Sequence, residues 1–259
     1  MTAFNVRAAN LPAINSMTKY PSIPTYHSLD PRNGGLLDET VPFAGVVVGT
    51  EKVDGTNSRI ILLPDGTYLL GSREELLYAK GDLIGNPALG IVDALRPIAD
   101  RLPAVEGDRI VVHYLEVYGG KVTAASKQYT GGRSIGNRLF DVAVVGDYRE
   151  MSDWDARRIS GWRDDGGQDF LDEAALRQTA ERTGLVLTPR LFEIDATDLP
   201  TDIARTKAFL DEWMPATLAA LDGDAAGRAE GIVLRTPDRK AIAKARFQDY
   251  ERTLKRRGR

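Results

Sequence analysis

The alternation of apolar and polar positions becomes regular only after the first forty residues. Residues 1–40 are rich in Pro, Asn and Gly and read mostly as loops. From Gly45 the pattern is β-like. Val46 to Val48 is a short apolar run, and Ser58 to Leu63 and Thr67 to Leu70 flank Pro64-Asp65-Gly66. Those three residues supply turn chemistry, so the two runs predict a hairpin. Ile110 to Tyr118 and Arg138 to Val145 are strand-like, with several β-branched and aromatic residues. Gly231 to Thr236 and Ala241 to Phe247 predict two late strands around Pro237-Asp238. Asn86 followed by Pro87 predicts a helix start, with Asn as cap and Pro in the first turn, running to about Arg101. Asp169 to Thr183 predicts a helix closed by Gly184, and Thr201 to Leu221 a further one. Hairpins mixed with separate helices favour an α+β fold. No internal repeat is present, and residues 164–169 read as a surface loop.

Composition narrows the chemistry. The chain has 259 residues, 42% hydrophobic and 27% charged, an ordinary globular balance able to bury a substantial core. There is no cysteine, which removes thiol catalysis, disulfides and Cys-ligated zinc, and suits a cytoplasmic protein. The two histidines, His27 and His113, lack the spacing of a zinc-binding helix. No apolar run approaches transmembrane length, and Met1 to Lys19 has no hydrophobic segment of the signal-peptide kind, so no membrane is expected. The net charge of −3 counts against a generally basic nucleic-acid binder. Arg239 to Arg259, however, is locally rich in Lys and Arg, and phosphate attraction depends on nearby charge.

The most informative segment is Glu51-Lys52-Val53-Asp54-Gly55-Thr56-Asn57. A lysine at a strand edge is followed by Asp and by a Gly that permits a tight turn or close approach. Lysine attacks phosphorus or carbonyl carbon only as the neutral amine, and at neutral pH roughly one ordinary lysine in a thousand is neutral. A nucleophilic lysine therefore needs cations or desolvation around it. Arg73, Lys244 and Arg246 are candidate cations. The structural alternative is a surface lysine beside a turn.

Five further segments follow in order: Gly71-Ser72-Arg73, Leu115 to Gly119, Leu139-Phe140-Asp141-Val142, Glu230 to Arg235, and Ala243-Lys244-Ala245-Arg246-Phe247. Each alone has a plain structural reading. Glu116 could be a solvated strand end, Phe140 core, Glu230-Gly231 a turn into a strand, and Lys244 and Arg246 one face of an edge strand. Together with the lysine segment they resemble, in order and spacing, the motifs of the covalent nucleotidyltransferase superfamily of ligases and capping enzymes. Asn57 after Gly-Thr, the Ser-Arg pair, Asp249 to Thr253, and the opening Lys19-Tyr20-Pro21-Ser22-Ile23-Pro24 are most similar to ATP-dependent RNA ligases. The resemblance covers roughly residues 19 to 255.

The resemblance implies a fold and a set of roles. The fold would be α+β, antiparallel sheets with flanking helices in an ATP-grasp-like ligase adenylation domain. Residues 41–250 would form that domain, residues 1–40 an N-terminal extension of it, and residues 251–259 a basic C-terminal tail, without a separate C-terminal OB or helical domain. Lys52 would attack the α-phosphorus of ATP and carry AMP. Glu51 and Asp54 would belong to the nucleotide site, Glu51 helping to define the adenine pocket. Arg73 would contact phosphate, Glu116 the ribose, and Phe140 would stack on adenine. Glu230 would hold Mg²⁺ or Mn²⁺. Lys244 and Arg246 alternate with Ala245, so on a strand they share a face toward the α-phosphate. Arg59, near the lysine strand, is a further candidate for the same pocket. The partner would be RNA with 5′-phosphate and 3′-hydroxyl ends, with a partner protein as a possible source of a substrate-binding domain. Two departures stand out: Arg246 replaces the second lysine of many relatives, and the chain ends about a dozen residues after that motif. A DNA nick ligase, a GTP-using capping enzyme and a non-catalytic nucleic-acid-binding relative are the alternatives. Capping enzymes usually carry Arg where this chain has Asn57.

Overall fold

The computed structural model describes residues 4–85, 90–225 and 227–258. Two antiparallel sheets organise them. The elements of the larger one are β4 (Thr56–Leu62), β5 (Tyr68–Ser72), β6 (Leu76–Ala79), β7 (Asp82–Leu83), β8 (Ile110–Gly119), β9 (Ile135–Val145) and β10 (Asp169–Phe170). They lie in the order β10-β9-β8-β4-β5-β6-β7. The smaller sheet has the order β11-β3-β12-β13, with β3 (Val46–Lys52), β11 (Arg190–Asp195), β12 (Gly231–Arg235) and β13 (Ile242–Arg246). A short ribbon of β1 (His27–Leu29) and β2 (Leu36–Thr40) stands beside them.

Both faces of the larger sheet are covered, which is why its strands read as apolar runs with little alternation. Ile60 and Leu62 of β4 pack with α2 (Ile91–Ala99) and α5 (Glu173–Thr183), while Ile61 packs on the opposite face with α1 (Leu11–Met17), α3 (Tyr148–Met151) and α4 (Ala156–Asp164). The smaller sheet buries Val47, Ile232, Leu234 and Ala243 against α6 (Ile203–Trp213) and α7 (Phe247–Arg257).

The hairpin expected around Pro64-Asp65-Gly66 is β4–β5. The Asp65 carboxylate accepts from Thr67 N at 3.0 Å, and Gly66 takes the left-handed conformation at φ +77. Asp172 caps α5 by accepting from Ala175 N, so the helix starts at Glu173, four residues later than expected, and Gly184 closes it at φ +69. α6 starts behind the Asp202 cap and ends at Trp213, well short of Leu221. The helix of residues 91–99 ends near the expected point, and its expected start at Asn86-Pro87 lies outside the described residues.

Three segments differ from expectation. The N-terminal region is about half loop but is anchored by a helix: Asn10 caps α1, and the helix sinks Ala13, Ile14 and Met17 into the core. Its single buried stripe is too short to show as a period among the Pro and Asn residues around it. Residues 164–169 are partly internal, because the Gln168 amide donates to Met17 O and Tyr114 Oη. The basic residues after Tyr250 lie in α7 up to Arg257. Arg252 donates to Gly34 O, Arg256 to Asn33 O, and the buried Thr253 hydroxyl accepts from Leu36 N. Much of that basic charge is spent on holding the loop before β2.

Candidate active site

The site lies where the two sheets meet. β3 ends at Lys52, opposite Gly231 of β12, and Gly231 in turn pairs with Arg246 of β13. A Cβ at Gly231 would sit 2.0 Å from Ala245 O, so only glycine allows this approach. The register brings Lys52, Glu230 and Arg246 side by side. Lys52 Nζ forms an ion pair with Glu230 Oε2, and Arg246 Nη1 lies 3.7 Å from Glu230 Oε1. Lys244 and Arg246 both reach the same cavity, as their spacing requires. Burial, then the neighbouring cations Arg246 and Lys52, hold the Lys244 ammonium below its ordinary value. Arg246 is oriented by Asp249 of α7 at 2.7 Å.

The larger sheet closes the other side. Gly55 N donates to Glu116 Oε1 at 3.1 Å, and a Cβ on Gly55 would sit 2.4 Å from Val117 O. Burial lifts the Glu116 carboxyl to about 7; the Lys52 charge opposes that rise. Burial and then the Glu230 charge also raise Asp54. Three carboxylates thus surround one lysine, and two of them bind protons more readily than usual. Phe140 is placed by an irregularity: Tyr114 pairs with Asp141 and Leu115 with Leu139, so Phe140 is the extra residue of a β-bulge. A bulge re-aims a side chain, and Phe140 turns to the cavity with its ring edge-on to Tyr20, centroids 5.0 Å apart.

The cavity measures about 420 Å³, within the range of small-ligand sites. Lys52, Glu51, Arg73, Glu116, Phe140, Glu230, Lys244 and Arg246 all line it, drawn together from across the sequence. Asp54 stands between the lining residues Val53 and Gly55. Two candidates are used differently. The Glu51 carboxylate accepts from Thr217 Oγ1 and from Leu218 N at 2.8 Å, which ties it to the loop before Glu230. Burial, the largest influence, raises its proton affinity.

Arg59 does not reach the cavity and is withdrawn from the site. It is 1% exposed, and its guanidinium donates to Asn15 O at 3.0 Å and Thr18 Oγ1 at 3.2 Å in and beside α1. The physical reason is position along the strand: Asn57 and Arg59 share a face, but Arg59 lies one step further from the sheet junction, under the helix.

Among the ionisable lining residues, two carried no assignment from the sequence. Arg235, 3% exposed, shares the β12 face of Val233, which period-two spacing from Gly231 could have found. Tyr20 sits over Asp141, with its hydroxyl 2.9 Å from Oδ2, and burial with that carboxylate pushes its ionisation far up. A third residue lies outside the cavity: the Tyr129 hydroxyl accepts from Asp54 N at 2.6 Å, and no local sequence signal pointed to it.

The RNA ligase family profile matches residues 45–250. The chain belongs to the RNA ligase family. By structure it is similar to a Naegleria gruberi RNA ligase variant in its apo form, at 13% identity and TM-score 0.55, covering 94% of this chain and 59% of that one. Another variant of that ligase, with ATP and Mn, gives TM-score 0.54 at 13% identity over 94% of this chain and 63% of that one. An archaeal ATP-dependent RNA ligase matches at 17% identity and TM-score 0.52, over 90% of this chain and 49% of that one. At such identities the likeness carries the fold, and the chain spans between about half and three fifths of those ligases. No curated protein matches the sequence significantly.

Proposed function

We propose that this chain joins RNA ends at the expense of ATP and adenylates itself on Lys52 to do so. The observation that carries this reading is the placement of Lys52 beside Glu230, Lys244 and Arg246 in one nucleotide-sized cavity. The neutral Lys52 amine attacks the α-phosphorus of ATP. A P–N bond forms, the P–O bond to the β-phosphate breaks, and pyrophosphate leaves. Lys244 and Arg246 face the charge that grows on the α-phosphate oxygens. The AMP then passes to a 5′-phosphate, and a 3′-hydroxyl displaces it as the phosphodiester forms.

In this reading Glu116 holds the ribose and Phe140 the base, since both line the cavity and a flat ring can stack on a purine. Glu230 is the residue to hold a divalent ion. Among the described residues no group of three or more ligating side chains forms a protein cage. The site therefore fits Mg²⁺ or Mn²⁺ held by one or two carboxylates, water and substrate phosphates. Such an ion supplies positive charge next to the phosphates being rearranged.

The test is incubation of the purified chain with labelled ATP or GTP and Mg²⁺ or Mn²⁺, followed by denaturing electrophoresis. An adduct from ATP alone is expected, with acid lability as befits a phosphoramidate. Sealing of matched RNA and DNA nicks then separates an RNA from a DNA ligase. No adduct under any of these conditions would remove the enzymatic reading.

A further inference from the structure

A second cavity of about 300 Å³ adjoins the active one. Tyr20, Ser22 and Arg73 belong to both, so the two are continuous. Its other walls are Lys19 at the end of the α1 segment and Ser160 and Arg163 of α4. The lining is almost wholly hydroxyls and charges.

The cations are held in place before any ligand arrives. Arg163, 13% exposed, donates from Nη1 to Ser16 O at 3.0 Å and from Nη2 to Ser160 Oγ at 2.8 Å, with Asp164 at 3.3 Å on the outer side. Lys19 Nζ meets Glu74 Oε2 at 2.7 Å, and Arg73 Nε lies 3.5 Å from the other oxygen of the same carboxylate. Glu74 is 65% exposed and hangs over the junction of the two cavities from a surface turn. One exposed anion thus bridges two cations at the point where a strand leading into the active cavity must cross. Such a carboxylate stands where a phosphate oxygen can stand, and exposed ion pairs of this kind are weak enough to be displaced.

We infer that this groove takes the phosphodiester backbone of the RNA strand whose 5′-phosphate enters the active cavity, and that Glu74 holds the place of a phosphate until the strand displaces it. The inference rests on the RNA-joining reading. It adds a phosphate subsite on Lys19 and Arg163, with an acidic competitor built into its mouth.

The experiment measures binding of a fluorescent, 5′-phosphorylated single-stranded RNA to the full chain between 50 and 200 mM salt, with self-adenylation followed in parallel. Lys19→Gln and Arg163→Gln should each weaken binding several-fold and flatten the salt slope by about 0.7, the loss of one phosphate contact on a single strand. Glu74→Gln should act in the opposite direction, tightening binding several-fold. Adenylation should be unchanged in all three. Arg163 also ties α4 to α1, so a circular-dichroism melt accompanies that variant, while Lys19→Gln and Glu74→Gln change partly exposed side chains only. Unaltered RNA affinity and slope in Lys19→Gln and Glu74→Gln overturns the subsite. So does a raised ATP requirement for adenylation with RNA binding intact, which would give the groove to the departing pyrophosphate. Failure of the wild-type chain to form any adduct strikes the parent reading instead, and leaves the binding data to decide the groove.

Discussion

The two ends of β12 carry opposite kinds of charge cluster. At its start, Lys52, Glu230 and Arg246 are 24%, 19% and 25% exposed. Their pairing is open on one side, and Asp54 and Glu116 add carboxylates that Lys52 alone cannot neutralise. At its end, Arg235, Asp141 and Glu173 are 3%, 0% and 7% exposed. Asp141 there receives Arg239 at 2.6 Å and the Tyr20 hydroxyl at 2.9 Å, and Glu173 receives Arg190 at 2.9 Å and Arg177 at 2.7 Å. The closed cluster joins β9, β12 and α5, and so links the larger sheet to the smaller one. Only Arg235 is incompletely served, with two guanidinium nitrogens lacking a hydrogen-bond partner. The same residue types thus hold the fold where they are dry and matched, and stand ready for phosphate chemistry where they are wet and mismatched.

The sharpest test of the open cluster is its lysine. Lys52→Ala should lose the AMP adduct altogether in intact-mass analysis, and Lys52→Arg should not restore it, since a guanidinium stays protonated. A normal adduct on Lys52→Ala would end the assignment. The contrast between clusters is tested by pairing Glu230→Ala with Asp141→Ala. Glu230→Ala should slow adenylation by roughly 10² or more, the scale of losing one charge-organising contact, while unfolding free energy moves little. Asp141→Ala takes from the largely buried Arg239 its carboxylate partner and leaves Arg235 only Glu173 at 3.7 Å, and should cost about 3–5 kcal/mol in denaturant unfolding. Equal stability losses in both would erase the distinction.

The pH response sharpens it further. Glu116 in the fold holds its proton up to about 7, against an ordinary value of 4.5. The native state therefore binds more protons than the unfolded chain between these values, and stability falls as pH rises through that window. Glu116→Gln lacks this penalty. Relative to the variant, wild type should lose up to about 3 kcal/mol between pH 4 and 8, at about 1.4 kcal/mol per tenfold change in acidity. Parallel profiles for the two proteins would mean that Glu116 is better solvated than its surroundings indicate.

The smallest effect concerns Arg59. Arg59→Met removes bonds to Asn15 and Thr18 from beneath α1, and should lower stability by about 1–3 kcal/mol. Adenylation per folded molecule should stay at wild-type level. A specific loss of adenylation would return Arg59 to the site.

Much of this was legible in residue order. Lys52-Val53-Asp54-Gly55 pointed to a nucleophile only in company with the five segments that follow it in order, since the four residues alone equally suit a surface lysine beside a turn. The shared face of Lys244 and Arg246 followed from strand alternation, and the C-terminal end of α5 from Gly184, because caps and alternation are local rules. What escaped depended on distant partners. Arg59, near the lysine strand, looked like a further member of the pocket, and only the position of α1 above it takes it out. Phe140 reaches the cavity through a bulge that exists because β8 and β9 pair out of step at Tyr114 and Leu115. The basic residues after Tyr250 read as a basic tail in sequence, whereas in the fold they lie on α7 against the loop of Asn33 and Gly34.

By itself, then, the sequence determined strands β3, β4, β5, β8, β9, β12 and β13, a few helix ends and the inventory of reactive groups, since each depends on neighbours a few positions away. Tertiary structure alone decided which charges are dry and paired and which remain open. Burial and pairing are properties of two or more segments at once, and Glu230 and Asp141 differ in nothing that a single segment of chain contains.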